Sequence, residues 1–66
     1  MKVIQLIASC MNVKLHSTVT IDTSSGRLYH GSLEKLLDCF DTLVLLDLEV
    51  LTFKVTENAL WVVVIF

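Results

Sequence analysis

The sequence predicts a small, single-domain protein built mainly of β-strands, and three observations support this fold class. Residues 18–22 alternate polar and apolar side chains with the two-residue period of a half-buried strand. Residues 42–55 and 59–66 form two further runs rich in β-branched and large apolar side chains. Proline is absent and glycine occurs only at Gly26 and Gly31, so no interdomain linker is indicated. We therefore expect one domain over residues 1–66.

The composition predicts that this domain associates with other chains. Of its 66 residues, 55% are hydrophobic and only 18% are charged. A chain of this size buries only about 60% of the surface that its unfolded form exposes. More apolar surface remains than such a small monomer can cover, so we expect the protein to oligomerise.

Several classes of protein are disfavoured. The net charge of −2 argues against strong generic binding to a phosphate backbone. No run of about 20 apolar residues exists, so we expect no membrane span. No nucleophile–base pair, Gly-rich phosphate loop or metal-ligand spacing occurs, and we expect no enzyme activity, cofactor or metal site. Cys10 and Cys39 belong to no disulfide framework and indicate reduced thiols in the cytoplasm.

The elements follow from local patterns along the chain. The segment "KVIQLIASC" predicts a short first helix or strand. The segment "DTSSG" supplies a turn in which Gly26 is free to adopt a positive φ, so residues 18–30 predict a β-hairpin. "TEN" separates the two later apolar runs and predicts a second hairpin.

The segment between the hairpins supports two interpretations. Leu33, Leu36, Leu37 and Phe40 follow helical spacing, and Ser32 precedes them as a candidate N-cap. Alternatively, the segment continues the hairpin strand, with Gly31 marking a sharp bend. Periodicity alone does not decide between a helix and a strand.

The stretch "VTIDTSSGRLYHGSLEKLLDCFDTLVLLDLE" resembles the first signature of the Sm and Sm-like proteins, in the Sm/LSm–Hfq superfamily. The resemblance covers about half of the chain. The positions that carry it, in order, are Val19, Ile21, Gly26, Tyr29, Gly31, Leu33, Asp38, Phe40 and Asp41.

This resemblance implies an all-β fold: a small, strongly bent, five-stranded antiparallel open barrel behind a short N-terminal helix. It implies that the ambiguous segment is a strand bent at Gly31. It also implies a homo-oligomeric ring of five to eight subunits, in which "ALWVVVIF" pairs with "LEVLTFKV" of the neighbouring subunit. The expected interface residues are Val50, Thr52, Phe53, Leu60, Trp61, Val62, Val63, Val64 and Ile65.

The resemblance implies binding of single-stranded RNA, with Phe40 stacking on a base and Asp38 orienting the reading residue. Two positions depart from the family. Asp41 stands where an asparagine is expected, and a carboxylate cannot donate a hydrogen bond to a base. The loop of Thr56, Glu57 and Asn58 lacks the family's Arg-Gly pair. Two functions are thus expected: an RNA-binding scaffold or chaperone with a divergent nucleotide site, or a protein-assembly ring that has lost RNA binding.

A further interpretation treats the resemblance as accidental. The fold is then a ββαββ domain with Leu33, Leu36 and Leu37 on a helix. Its apolar C-terminal segment would be covered by another partner, most simply in a symmetric dimer.

Overall fold

The fold was analysed in a computed structural model that describes residues 1–9 and 14–65, with Phe40 described by its backbone only. Cys10 and Phe66 lie outside the described residues. The elements are α1 (Val3–Ser9), β1 (Thr18–Thr23), β2 (Gly26–Ser32), α2 (Leu33–Asp38), α3 (Phe40–Leu43), a 3-10 helix (Val44–Asp47), β3 (Glu49–Val55) and β4 (Ala59–Ile65). The predicted N-terminal helix is therefore confirmed as α1.

The strands form one open, mixed sheet of four strands in the order β2-β1-β4-β3. The two hairpins β1–β2 and β3–β4 are antiparallel, and the central strands β1 and β4 are parallel. The predicted all-β, five-stranded antiparallel barrel is therefore wrong. The sheet does not close, because the segment between the hairpins forms helices that cover one of its faces.

Both predicted hairpins are confirmed. In the first, the turn between β1 and β2 places Gly26 at a φ of 146°, which a side chain would strain. The hydroxyl of Thr23 accepts a hydrogen bond from the Ser25 N–H (3.1 Å) and donates one to the Gly26 carbonyl (3.0 Å). The second hairpin turns at residues 56–58, where Thr56 N–H donates to the Ala59 carbonyl (2.8 Å).

The ambiguous segment begins with a helix, as its local periodicity indicated. Ser32 is the N-cap of α2, and its hydroxyl accepts a hydrogen bond from the Lys35 N–H at 3.2 Å. Leu33 and Leu36 are buried against the sheet, while Leu37 is more than one-third exposed. The strand interpretation that the Sm-like resemblance implied is wrong, because the cap and the i, i+3 spacing together favour a helix.

The hydrophobic core lies between the helices and one face of the sheet. This face carries alternate residues of the two central strands, as expected for a half-buried sheet. The fully buried side chains of the core include Val3, Leu6, Val19, Ile21, Leu36, Leu60 and Val62. The opposite side of the sheet, here called the outer face, is open. It carries Thr20, Asp22, Arg27, His30, Thr52, Lys54, Trp61, Val63 and Ile65.

The backbone edges of the apolar C-terminal strand are covered by its own chain. β4 pairs with β1 on one side and with β3 on the other, so both of its backbone edges are already bonded. The prediction that this strand pairs with a neighbouring subunit is therefore wrong. The parallel pairing with β1 supplies the cover that the sequence interpretation assigned to a second chain.

None of the helices within residues 1–9 and 14–65 has the length and apolar character needed to cross a membrane.

Candidate functional site

The residues predicted to bind RNA do not come together in one site. Asp38 ends α2, and Asp41 is exposed in α3, where Phe40 precedes it. Asp38 lines a cavity beside β2. Glu57 and Asn58 line a separate hollow with Lys14 and His16, and Thr56 is in the same turn. The structure therefore contains two separate polar regions where the resemblance implied one nucleotide site.

The predicted interface residues divide into three groups. Leu60, Val62 and Val64 are buried in the chain's own core and are not available to a second chain. Val50 is half-buried, while Thr52 and Phe53 are exposed on β3. The remaining three, Trp61, Val63 and Ile65, belong to the outer face.

A cavity of about 500 Å³ lies between β2 and α2. Four consecutive residues of β2 form one wall. The helical segment forms the opposite wall. The lining residues are Tyr29, His30, Gly31, Ser32, Lys35, Asp38, Cys39 and Thr42. The cavity thus lies along an outer strand of the sheet.

The hydrogen bonds of β1 show which backbone groups of β2 face this cavity. Along a strand between two neighbours, the backbone groups of successive residues point alternately to each side. Thr18 donates its N–H to the Asn58 carbonyl (3.0 Å), on the β4 side. The Ser17 carbonyl accepts from the Leu33 N–H (2.9 Å), on the β2 side. Ser17, Val19 and Ile21 therefore bond towards β2.

The direction of the backbone groups on β2 follows from their pairing with β1. Tyr29 and Gly31 are the register partners of Ile21 and Val19, so their backbone groups bond to β1. The backbone N–H and C=O of His30 point the opposite way, and no described strand pairs with β2 on that side. His30 therefore presents at the free edge of β2 a donor and an acceptor to which no described residue bonds.

Tyr29 forms a fixed wall of the cavity. Its hydroxyl donates a hydrogen bond to the Ser32 carbonyl at 2.6 Å. The ring lies over Gly31, where an added Cβ would be only 2.9 Å from the hydroxyl oxygen. Burial, and then the charge of Cys39, raises the pKa of the Tyr29 phenol above its ordinary value. The Tyr-x-Gly spacing, which carried much of the Sm-like resemblance, thus has a local packing cause in this chain.

Two charges border the cavity without an ion-pair partner among the described residues. Among the residues that the structure describes, the ion pairs join Met1 to Glu49, Lys2 to Asp47 and Arg27 to Asp22. Lys35 and Asp38 take part in none of these pairs, and both are exposed. An ammonium and a carboxylate are therefore available to a ligand at the rim of the cavity.

A hydrogen-bonded cluster organises the outer face of the sheet. Trp61 Nε1 donates to one carboxylate oxygen of Asp22 at 2.8 Å, and Arg27 Nε donates to the other at 3.0 Å. The hydrogen bond from Trp61, and then that from Arg27, holds the pKa of Asp22 below its ordinary value. Thr20 Oγ1 and His30 Nδ1 are 2.9 Å apart. Because Arg27 is already paired, this face does not supply a free cationic stripe for nucleic acid.

The structure brings Tyr29, His30 and Lys35 together at the cavity and places Arg27 on the outer face. Of the residues that line the cavity, the sequence predicted only Asp38 as part of a binding site. The sequence signal for the other lining residues was the N-cap Ser32. A helix that begins after Ser32 brings the residues one and two turns later close to β2.

No protein-family model, curated protein or solved structure matches this chain. The likeness to Sm proteins rests on the quoted residues alone. Within residues 1–9 and 14–65, no group of three or more His, Cys, Asp or Glu side chains is placed to hold a metal ion.

Proposed function

We propose that this chain is a protein-binding module that accepts an extended peptide as an added strand along β2. Two observations carry the proposal: no described residue bonds to the outward N–H and C=O of His30, and His30 lines a cavity of about 500 Å³. Strand addition uses such groups for affinity, and neighbouring pockets for specificity. We call this combination of edge and cavity the β2 groove.

The side chains around the β2 groove suit a peptide. Successive side chains of an extended peptide point to opposite sides, so one of them enters the cavity beside the ring of Tyr29 while its neighbours remain outside. Lys35 and Asp38 then pair with charged side chains at the rim. The Tyr29–Ser32 hydrogen bond and the Ser32 cap hold both walls in place before binding, which lowers the ordering cost.

Of the two functions expected from sequence, protein assembly has the stronger support. The acidic residues Asp38 and Glu57 lie in different hollows, and the chain carries a net charge of −2. Neither observation favours attraction of a phosphate backbone. Binding of single-stranded RNA stays a prediction without a defined site. The proposal assigns no enzyme activity.

The test uses two substitutions of His30. His30→Pro removes the outward N–H, and proline is tolerated on an outer strand where that group bonds to nothing in the chain. His30→Ala keeps the N–H and removes only the side chain, so it is the matched control. Heptapeptides are selected from a random phage-displayed library on the immobilised wild type, and their affinities for all three proteins are measured by titration calorimetry.

We expect His30→Pro to weaken binding by about tenfold or more, because one hydrogen bond is lost and a peptide carbonyl is left unpaired. We expect His30→Ala to stay within about threefold of the wild type. Amide shifts in ¹⁵N spectra should centre on β2 and α2. The proposal is wrong if the library yields no binder, or if the selected peptides bind His30→Pro as tightly as the wild type.

A further inference from the structure

The chain has a second free edge, on β3. At the start of this strand the N-terminal segment covers the edge: Val50 donates its N–H to the Met1 carbonyl (2.7 Å), and Lys2 forms a bridge with Glu49. Beyond this point, residues 51–55 are exposed and no described segment pairs with them on that side. Lys54 is the only charged side chain in this stretch, so the edge has little of the protection usual for outer strands.

We propose that the strand accepted by the β2 groove is the β3 edge of a second copy of this chain. This inference rests on the proposed function, because it names the occupant of the same groove. β2 and β3 are at opposite ends of the sheet, so the contact joins two different surfaces. Such a head-to-tail contact builds a ring if its rotation closes, or a filament if it does not.

The side chains of β3 fit this arrangement when the sheet continues from one copy into the next. Phe53 is the register partner of Val62, which points into the core, so Phe53 lies on the helix-covered side of the sheet. The cavity beside β2 is on that same side, because α2 forms its wall. The side chain of Phe53, 45% exposed in the single chain, therefore enters the cavity of the next copy.

The polar residues of β3 remain in solvent in this arrangement. Thr52 and Lys54 are register partners of Val63 and Trp61, so they lie on the outer face. In the next copy they extend the outer face beside His30 and do not enter the apolar cavity. The charge of Lys54 thus remains solvated. If Lys54 were on the other side of the sheet, the contact would bury its charge, which is costly.

The extent of the contact predicts weak association at each junction. Stable complexes use about 20–30 residues a side, whereas one junction here uses one short edge and the groove. A copy inside an assembly makes one contact through β2 and another through β3. It therefore buries about twice the area that a copy at the end of the assembly buries. We therefore expect association that grows with concentration and no tight dimer.

The experiment uses one variant for each edge. His30→Pro blocks the β2 groove and leaves β3 intact, while Phe53→Asp blocks β3 and leaves the groove intact. Val44→Asp is the control, because Val44 is 67% exposed on the 3-10 helix and lines a hollow that contains no residue of β2 or β3. Each protein is checked for native circular dichroism and then studied by sedimentation equilibrium over a dilution series. Phe53→Ser replaces Phe53→Asp if the latter is unfolded.

We expect the weight-average mass of the wild type and of Val44→Asp to rise with concentration above the 7.4 kDa of one chain. We expect His30→Pro and Phe53→Asp each to remain monomeric. Their equimolar mixture should form a heterodimer that grows no further, because each variant retains the surface that the other lacks.

Three results would overturn this inference. A wild type that stays monomeric at about 1 mM excludes association even as weak as that expected for so small a contact. Self-association of His30→Pro alone indicates that two β3 edges pair with each other. A mixture without heterodimer indicates that the two edges do not meet. If selected heptapeptides still bind the β2 groove in any of these cases, the proposed function is retained. Only the identification of the bound strand as β3 of a second copy is then wrong.

Discussion

The ring of Tyr29 lies over Gly31 so closely that a Cβ on Gly31 would be 2.9 Å from the Tyr29 hydroxyl oxygen and 3.2 Å from its Cζ. The same hydroxyl donates to the Ser32 carbonyl at 2.6 Å, which holds the ring in this position. Tyr29 and Gly31 therefore pack as one unit in the wall of the β2 groove, so a substitution of either residue changes the packing of the other.

Gly31→Ala should destabilise the protein by about 1–3 kcal/mol, because the added methyl group overlaps the ring of Tyr29. The same substitution in a Tyr29→Leu background should cost clearly less, since the ring is absent. Urea unfolding of the four proteins in this double-mutant cycle measures the coupling. An equal cost of Gly31→Ala in both backgrounds would contradict the packing described here.

Leu36→Ala should lower the free energy of unfolding by about 2–5 kcal/mol, because it leaves a cavity in the core. Leu36 is fully buried, whereas the adjacent Leu37 is 37% exposed. Leu37→Ala is the matched control and should cost much less. Thermal unfolding followed by circular dichroism compares them. Equal costs at the two positions would contradict the orientation of α2.

Hydrogen exchange should distinguish adjacent amides on β2. The Gly31 N–H bonds to β1 and should be protected in the native state, while the His30 N–H points out of the sheet and should exchange quickly. ¹⁵N-resolved exchange on dilute protein measures both. Protection of His30 that persists on dilution would mean that its N–H already has a partner in the single chain, which would remove the basis of the β2 groove.

Asp22 should make the stability depend on pH in the acid range. Its pKa is held below the ordinary value of 3.8 by the hydrogen bonds from Trp61 and Arg27. A carboxylate with a depressed pKa stabilises the native state above its unfolded pKa, and this contribution is lost as pH falls through the native pKa. Between about pH 5 and pH 2, the wild type should therefore lose more stability than Asp22→Asn.

The control for this pH effect is Trp61→Phe, which keeps an aromatic ring on the outer face and removes the Nε1 donor. Its loss of stability in acid should lie between those of the wild type and Asp22→Asn. Urea midpoints from circular dichroism at both pH values give the comparison. Parallel pH profiles for the wild type and Asp22→Asn would show that Asp22 does not contribute in this way.

Local structure followed well from the sequence, because each signal involved residues close together in the chain. Alternation in residues 18–22 and the turn at Gly26 predicted the first hairpin, and the Ser32 cap with the spacing of Leu33 and Leu36 gave the helix α2 as one of two open interpretations. The resemblance replaced the helix with a strand, because Tyr29 and Gly31 match a family spacing that arises here from ring packing.

Strand order did not follow from the sequence. The alternation of a strand shows which side chains are buried, but it does not show which strand lies beside it. The apolar run of β4 fits a central strand and a strand bonded to a neighbouring chain equally well. The site was missed for the same reason, because Lys35 and Asp38 border β2 only once the helix folds back over the sheet.

The parallel pairing of β1 with β4 also limits the order in which the strands can pair during folding. Each hairpin needs only neighbouring residues, so both can form early, whereas the register that places Thr18 beside Ala59 joins the two halves of the chain. Contacts between distant segments form slowly, because the intervening loop must first close. During synthesis from the N-terminus, β1 and β2 leave the ribosome long before β4. The β4 side of β1 then stays unpaired until the last strand arrives, which makes this interval the one in which a chaperone or a second nascent chain would encounter it.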